Sequence, residues 1–154
     1  MYVIESATNQ IKVVEIRALD QADLKKITKS EYFFNWRTAA KESEVYKLTL
    51  IGEEDILGLV GLVHIPSEQR VEVKLLASSI KNVGKNKLYK RIPSCMIAFA
   101  CKEALTKYGD LACVSLLPKT ELKAYYIKEF GMRDGGRQVY LEGIELLDLI
   151  KKFI

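Results

Sequence analysis

No apolar run in this chain approaches the length of a membrane span, and residues 1–10, MYVIESATNQ, lack the basic start and apolar core of a secretion signal. Histidine occurs once and cysteine three times, and the cysteines have no zinc-like spacing, so neither a metal site nor a disulfide framework is implied. Net charge is scarce as well. Lys and Arg number 24 against 20 Asp and Glu, a balance of +4, which excludes the long-range field of a protein that coats nucleic acid. Repeats, linkers and low-complexity segments are missing too. The expectation is a soluble, cytoplasmic protein in a reducing compartment. With 154 residues and 49% hydrophobic composition, it should form a single domain over 1–154 around a sizeable core.

What is present is organised around residues 71–109, VEVKLLASSIKNVGKNKLYKRIPSCMIAFACKEALTKYG. Val71, Val73 and Leu75 alternate with Glu72, Lys74 and Leu76, the two-residue period of a half-buried strand. Further on, Ile97, Ala100, Cys101, Ala104, Leu105 and Tyr108 share one face of a helix, which Gly109 ends by taking the left-handed conformation. Between strand and helix stand Lys81, Lys85, Lys87, Lys90 and Arg91. A basic loop delivered to a helix N-terminus suits an anion, because unbonded N–H groups and the helix dipole act in the same direction. The competing reading is a solvated run of charge. Cys95, Cys101 and Cys113 read as small apolar packing residues rather than reactive thiols.

Residues 11–17 predict a strand, and 20–29 a helix capped by Asp20 with Leu24 and Ile27 at helical spacing. In 31–41, Tyr32, Phe33, Phe34 and Trp36 make either a packing plug or one wall of an acceptor pocket, and aromatic clusters are more often core. Residues 44–51, 56–65 and 70–78 read as three strands separated by GEED and PSEQ turns, an antiparallel meander. The middle strand is apolar on both faces and therefore central. Its Gly58 and Gly61 point to a bulge or a close neighbour, and His64 reads as a partly buried strand residue rather than a catalytic one.

A strand over 111–117 follows the organising helix, and a crossover of that length pairs it parallel with 70–78. Thr120 and Gly131 are placed to cap and stop a helix over 121–130. Val139 and Leu141 mark a last strand, and 144–153 closes the chain as a helix with Leu147, Ile150 and Phe153 inward. The fold class is α/β in the mixed, α+β sense: a central mixed sheet of antiparallel meander plus one parallel βαβ crossover, with helices on both faces.

VEVKLLASS followed by YKRIPSCMIAFACKEAL resembles the acyl-CoA motif of the GNAT acetyltransferase superfamily, and TELKAYYIKEFGM is similar to the family's helix with a tyrosine near its end. The resemblance spans about residues 12–143. It implies a pantetheine arm bonded to exposed backbone groups of the strand at Leu76 and Ala77. It also implies a diphosphate on the loop that opens the helix, at Lys87, Lys90, Arg91, Ile92 and Ser94. The family's loop runs Gln or Arg, two residues, Gly, any residue, then Gly or Ala; here Arg91 and Pro93 stand at the two glycine positions. A proline has no N–H to give and an arginine fills space that glycine leaves open. In compensation Pro93 suits the first turn of a helix, and Arg91 with Lys87 and Lys90 brings charge.

By the same resemblance Tyr126, or Tyr125 beside it, protonates the departing thiolate, against the competing reading of a core-packing tyrosine. The family's Asn, Ala and Tyr of this helix fall on Lys119, Leu122 and Tyr126, so only the tyrosine is kept. Glu72 is the carboxylate placed to take the amine's proton, against a plain surface glutamate. The implied activity is transfer of an acetyl group from acetyl-CoA to a primary amine of an unknown acceptor, with no metal. Two rivals stand beside it. One is a non-catalytic GNAT-fold module with weakened CoA binding that works through a partner, which Arg91 and Pro93 favour. The other takes aminoacyl-tRNA as acceptor, against which the modest net charge speaks; no other nucleic acid is expected. An exposed face on the last strand or helix could pair subunits as a homodimer.

Overall fold

Nine strands are laid out in the computed structural model, which describes residues 1–154, with buried and open residues alternating in the first half of 70–78 and in 138–142 and a continuous buried run in 58–62. They are β1 (Tyr2–Glu5), β2 (Ile11–Ala18), β3 (Glu44–Leu50), β4 (Gly58–Ile65), β5 (Arg70–Ser78), β6 (Tyr89–Lys90), β7 (Cys113–Leu116), β8 (Arg133–Gly135) and β9 (Gln138–Glu142). Hydrogen bonds link them as one nine-stranded sheet in the order β6-β1-β2-β3-β4-β5-β7-β9-β8. The helices are α1 (Gln21–Lys26), α2 (Lys29–Tyr32), α3 (Trp36–Glu42), α4 (Ile92–Tyr108), α5 (Lys123–Phe130) and α6 (Gly143–Phe153). β5 and β7 pair parallel across α4, while β1–β2, β1–β6, β2–β3, β7–β9 and β8–β9 are antiparallel. The mixed sheet with one crossover is the expected α/β class, and β4 is its middle strand. No helix is long and apolar enough to cross a membrane.

Two compact units make up the chain, and the first comprises Met1–Gly61 and Leu75–Met96. Asp20 caps α1 as expected: the Asp23 N–H donates to Asp20 Oδ1 at 2.8 Å and the Asp20 N–H donates to Asp23 Oδ2 at 3.0 Å. The helix stops at Lys26 instead of reaching 29, because Thr28 caps a new helix, α2. Asp23 also accepts from Lys47 Nζ at 2.7 Å, with each side chain only 10% exposed. Tyr32 and Trp36 take the plug reading. They are buried with Ala39, Val45, Ile56, Leu59 and Ala77, and each satisfies its polar atom: Tyr32 Oη donates to Ile56 O and Trp36 Nε1 to Tyr32 O, both at 2.9 Å. Gly58 does have a close neighbour, since a Cβ there would lie 2.8 Å from Ile92 Cγ2 and 2.9 Å from Met96 Cε. β1 and β6 are strands that the apolar pattern did not mark.

The second unit comprises Leu62–Lys74 and Ile97–Ile154, with Leu62, Val71, Ile97, Ala104, Val114 and Leu141 fully buried. Here two expectations need correction. Residues Thr120–Leu122 form a 3₁₀ turn and α5 starts only at Lys123, so Thr120 does not cap it and no side chain does. α6 buries Leu146, Leu149 and Phe153, while Leu147 is exposed: apolar residues populate both sides of this helix and the pattern did not single out the inner one. Gly131, at φ +66°, ends α5 as expected. His64 is a packing residue, its Nδ1 3.3 Å from Tyr108 Oη.

Candidate functional site

The stretch from the end of β5 to the first turn of α4 is shaped by backbone geometry. β5 pairs with β7 from Arg70↔Cys113 to Val73↔Leu116, where β7 ends, and then runs on to Ser78. Leu76 and Ala77 lie in that continuation, Leu76 half-buried and Ala77 in the cluster with Tyr32 and Trp36. A strand that outruns its neighbour has backbone N–H and C=O groups available to another partner.

Asn82, fully inside the fold and not foreseen from the sequence, ties the two ends of the basic loop. Its Nδ2 donates to Ser79 Oγ at 2.8 Å and its Oδ1 accepts from the Tyr89 N–H at 3.0 Å. The only signal for it was a serine placed three residues earlier. Leu88 N–H donates to Lys81 O at 3.1 Å, and β6 pairs with β1 through Ile4↔Lys90 and Glu5↔Tyr89. Lys85 and Lys87 are exposed and line a cavity of about 500 Å³ with Glu5, Ser6, Leu88 and Tyr89. Lys81 and Lys90 are exposed as well.

Arg91 has φ +84°, a left-handed backbone that costs a residue with a side chain about 1–2 kcal/mol and glycine nothing. By the resemblance drawn from the sequence, this is the first of the two positions expected to carry glycine. The guanidinium is turned inward: its Cζ lies 3.9 Å from the centre of the Tyr2 ring and its Nε donates to Tyr2 O at 3.3 Å. Cys95 Sγ donates to that same carbonyl at 3.3 Å. Burial, with Arg91 opposing it, pushes the Cys95 thiol up, so it stays a neutral donor; Cys101 is pushed up to about 12 by burial, followed by Cys113. Both behave as the apolar packing residues expected of them.

At the start of α4, Cys95 N–H makes the first helical bond, to Arg91 O at 3.0 Å. Of the three residues before it, Pro93 has no N–H and Ile92 is fully buried against the Gly58 position. Ile92 therefore packs the helix start against β4. Ser94, half-buried, retains both an N–H and a hydroxyl without partners in the chain. Of the residues expected to meet the diphosphate, Ser94 and the lysines of the loop keep exposed or unpartnered polar groups.

The catalytic candidates lie in the second unit. Glu72 is half-buried on β5, opposite Ser115 in the register and on the polar stripe where Arg70 Nη1 donates to Ser115 Oγ at 2.7 Å. Tyr126 on α5 is half-buried, stacked on Phe130 at 5.8 Å between ring centres and edge-on to Tyr125 at 5.5 Å. Burial, followed by Tyr125, pushes the Tyr126 hydroxyl above its ordinary range, which keeps it a proton donor at neutral pH. Tyr125 is 49% exposed. Neither Tyr126 nor Glu72 makes a hydrogen bond or ion pair within the chain. Lys123 Nζ anchors α5 to the β8–β9 hairpin through Asp134 at 2.7 Å and Gly136 O at 2.8 Å.

Neither a protein-family model nor a curated protein matches the sequence. Solved structures do. The ribosomal-protein-S18-alanine N-acetyltransferase of Escherichia coli aligns with a TM-score of 0.60 at 13% identity, over 83% of this chain and 91% of that one. A GNAT family acetyltransferase of Elizabethkingia anophelis, solved with acetyl-CoA bound, aligns at 0.59 and 12% identity over 84% and 97%. The acetyltransferase of Bacillus subtilis, in complex with CoA, aligns at 0.56 and 14% identity over 85% and 98%. The chain has the GNAT acetyltransferase fold.

Proposed function

We propose that the protein is an acetyltransferase that moves the acetyl group of acetyl-CoA onto a primary amine. The observation that carries this reading is the left-handed backbone at Arg91 immediately before α4, at the position where the resembled loop has glycine, a conformation open to glycine and one that an arginine adopts only at a cost. Ser94 N–H and Oγ, with Lys87 and Lys90 beside them in sequence, would hold the diphosphate, and the run-on of β5 at Leu76 and Ala77 would bond the pantetheine arm. The amine nitrogen attacks the thioester carbon, the C–N bond forms as the C–S bond breaks, Tyr126 gives its proton to the thiolate and Glu72 receives the amine's. Arg91 contributes through its backbone conformation, since its guanidinium is engaged with Tyr2.

A second reading has its own support: with Pro93 lacking an N–H and Ile92 fully buried, the helix start offers fewer donors than a glycine loop, which suits a module that binds CoA weakly and works through a partner. Calorimetric titration with acetyl-CoA separates the two. Saturable micromolar binding, about −8 kcal/mol, is the expected result; no heat at millimolar ligand leaves only the second reading.

A further inference from the structure

We propose that the crevice between α1 and α3 binds a chain of phosphate groups, at a site that shares no residue with the loop leading into α4. The crevice is a cavity of about 470 Å³ lined by Gln21, Leu24 and Lys25 from one helix and Arg37, Ala40 and Lys41 from the other. Every charged residue on its wall is a cation, and none of the three takes part in an ion pair. Arg37 and Lys41 are four apart on a helix of seven residues, a like-charge spacing that weakens the helix, and Lys25 adds a third positive charge from the facing wall. No ion pair within the crevice offsets this repulsion. An anion with several charges in a row would, and a guanidinium fork beside two ammonium groups and the Gln21 amide matches phosphate oxygens.

The neighbourhood narrows the ligand further. A cavity of about 170 Å³ shares Leu24 and Arg37 with the crevice and adds Lys29 and the Phe34 and Trp36 rings, which stand edge-on with centres 6.1 Å apart. It offers room for a planar group next to the phosphates. On the other side, a cavity that shares Gln21, Leu24 and Ala40 brings in Asp20 and Glu44, where the cationic stretch ends. The ligand is thus a phosphate chain carrying a planar group, as in a nucleoside polyphosphate or a strand of RNA.

Titration of the full chain with inorganic triphosphate at low salt, with and without saturating acetyl-CoA, tests this. Binding should persist in the presence of acetyl-CoA and weaken about tenfold or more when Arg37→Gln and Lys41→Gln are combined, both exposed positions whose change leaves the core intact. Lys87→Gln should leave it unchanged. No binding at millimolar triphosphate, binding that survives the double substitution, or binding that acetyl-CoA displaces would overturn the site. The arms with the double substitution and with Lys87→Gln are read whether or not acetyl-CoA itself binds. A nucleoside triphosphate and a single-stranded oligoribonucleotide then distinguish the two sources: the true source binds more tightly than inorganic triphosphate and loses that advantage in Phe34→Ala. If neither gains, the planar-group assignment is wrong.

Discussion

Residues 91 and 126, one on the phosphate side of the proposed reaction and one on the proton side, are held in opposite ways. Arg91 sits in a costly backbone conformation that the surroundings enforce from several directions: two donors on Tyr2 O, a guanidinium over the Tyr2 ring, the β1–β6 ladder and Asn82 across the loop. Tyr126 sits on a helix of eight residues that has no side-chain cap, buries only Phe130 and is tied down by Lys123 and ring contacts. Backbone strain persists only where its environment over-determines it, whereas a thinly buried, uncapped helix opens at low cost. Precision is thus invested where an anion would be gripped, and freedom is left where a proton would be delivered.

The rigid side can be broken most severely at the ion pair beneath α1. Lys47→Met leaves Asp23 as an unpaired buried charge and should lower stability by about 3–5 kcal/mol, read from the urea midpoint. A loss under about 1 kcal/mol would mean that the pair is incidental to the unit that carries the loop. Acid should weaken the wild type through the same group. Burial pushes the Asp23 carboxyl up, but the Asp20 N–H and Lys47 outweigh it and hold it below the usual carboxylate range. A carboxyl that binds its proton less readily when folded contributes fully above its unfolded value and loses that contribution as pH falls toward the folded one. The midpoint should therefore stay level between about pH 7 and 5 and drop below about pH 4.

On the adaptable side, Tyr126→Phe should cut turnover about 100-fold and leave acetyl-CoA affinity within about twofold, because the ring packing on Phe130 survives and only the proton is lost. Tyr125→Phe is the control and should turn over normally. If the two variants behave alike, the acid is elsewhere.

This contrast also explains what could be read in the sequence. The bounds of β5, the end of α4, the Asp20 cap and the Gly131 stop follow from local signals, namely period, caps and breakers, each complete within a few residues, and the parallel crossover follows from the length of the connection between two such strands. β1 and β6 carry no such signal: Tyr89–Lys90 is a strand only because Ile4 and Glu5 lie beside it, and that pairing spans more than half of the chain. The Arg91–Tyr2 clamp is non-local in the same way. Arg91 reads as a charge for the diphosphate because nothing near it in sequence announces a ring from residue 2. For α5, the residues of the proposed cap enter a 3₁₀ turn instead, and for α6 a surplus of apolar residues hides which side is inward.

Residue 91 itself allows a finer test of enforcement. Arg91→Ala keeps the left-handed cost and removes the clamp, whereas Arg91→Gly removes both together. The glycine variant should be more stable than the alanine variant by about 1 kcal/mol and close to the wild type, since strain relief offsets the lost cation–π contact. Equal midpoints for the two variants would show that the conformation at 91 is not strained.

The smallest effect, and the sharpest for the proposed chemistry, belongs to Pro93. In the first turn of α4 its fixed φ favours helix initiation, but its nitrogen cannot donate. Pro93→Gly restores one N–H beside Ser94 and should tighten acetyl-CoA binding by about 1 kcal/mol, roughly fivefold, while costing a few tenths of a kcal/mol in stability. The two readouts move in opposite directions, which separates a ligand donor from a general loosening of the turn. If affinity falls together with stability, the proline's contribution is the helix start alone, and the diphosphate must be gripped by lysine side chains rather than by the backbone of α4.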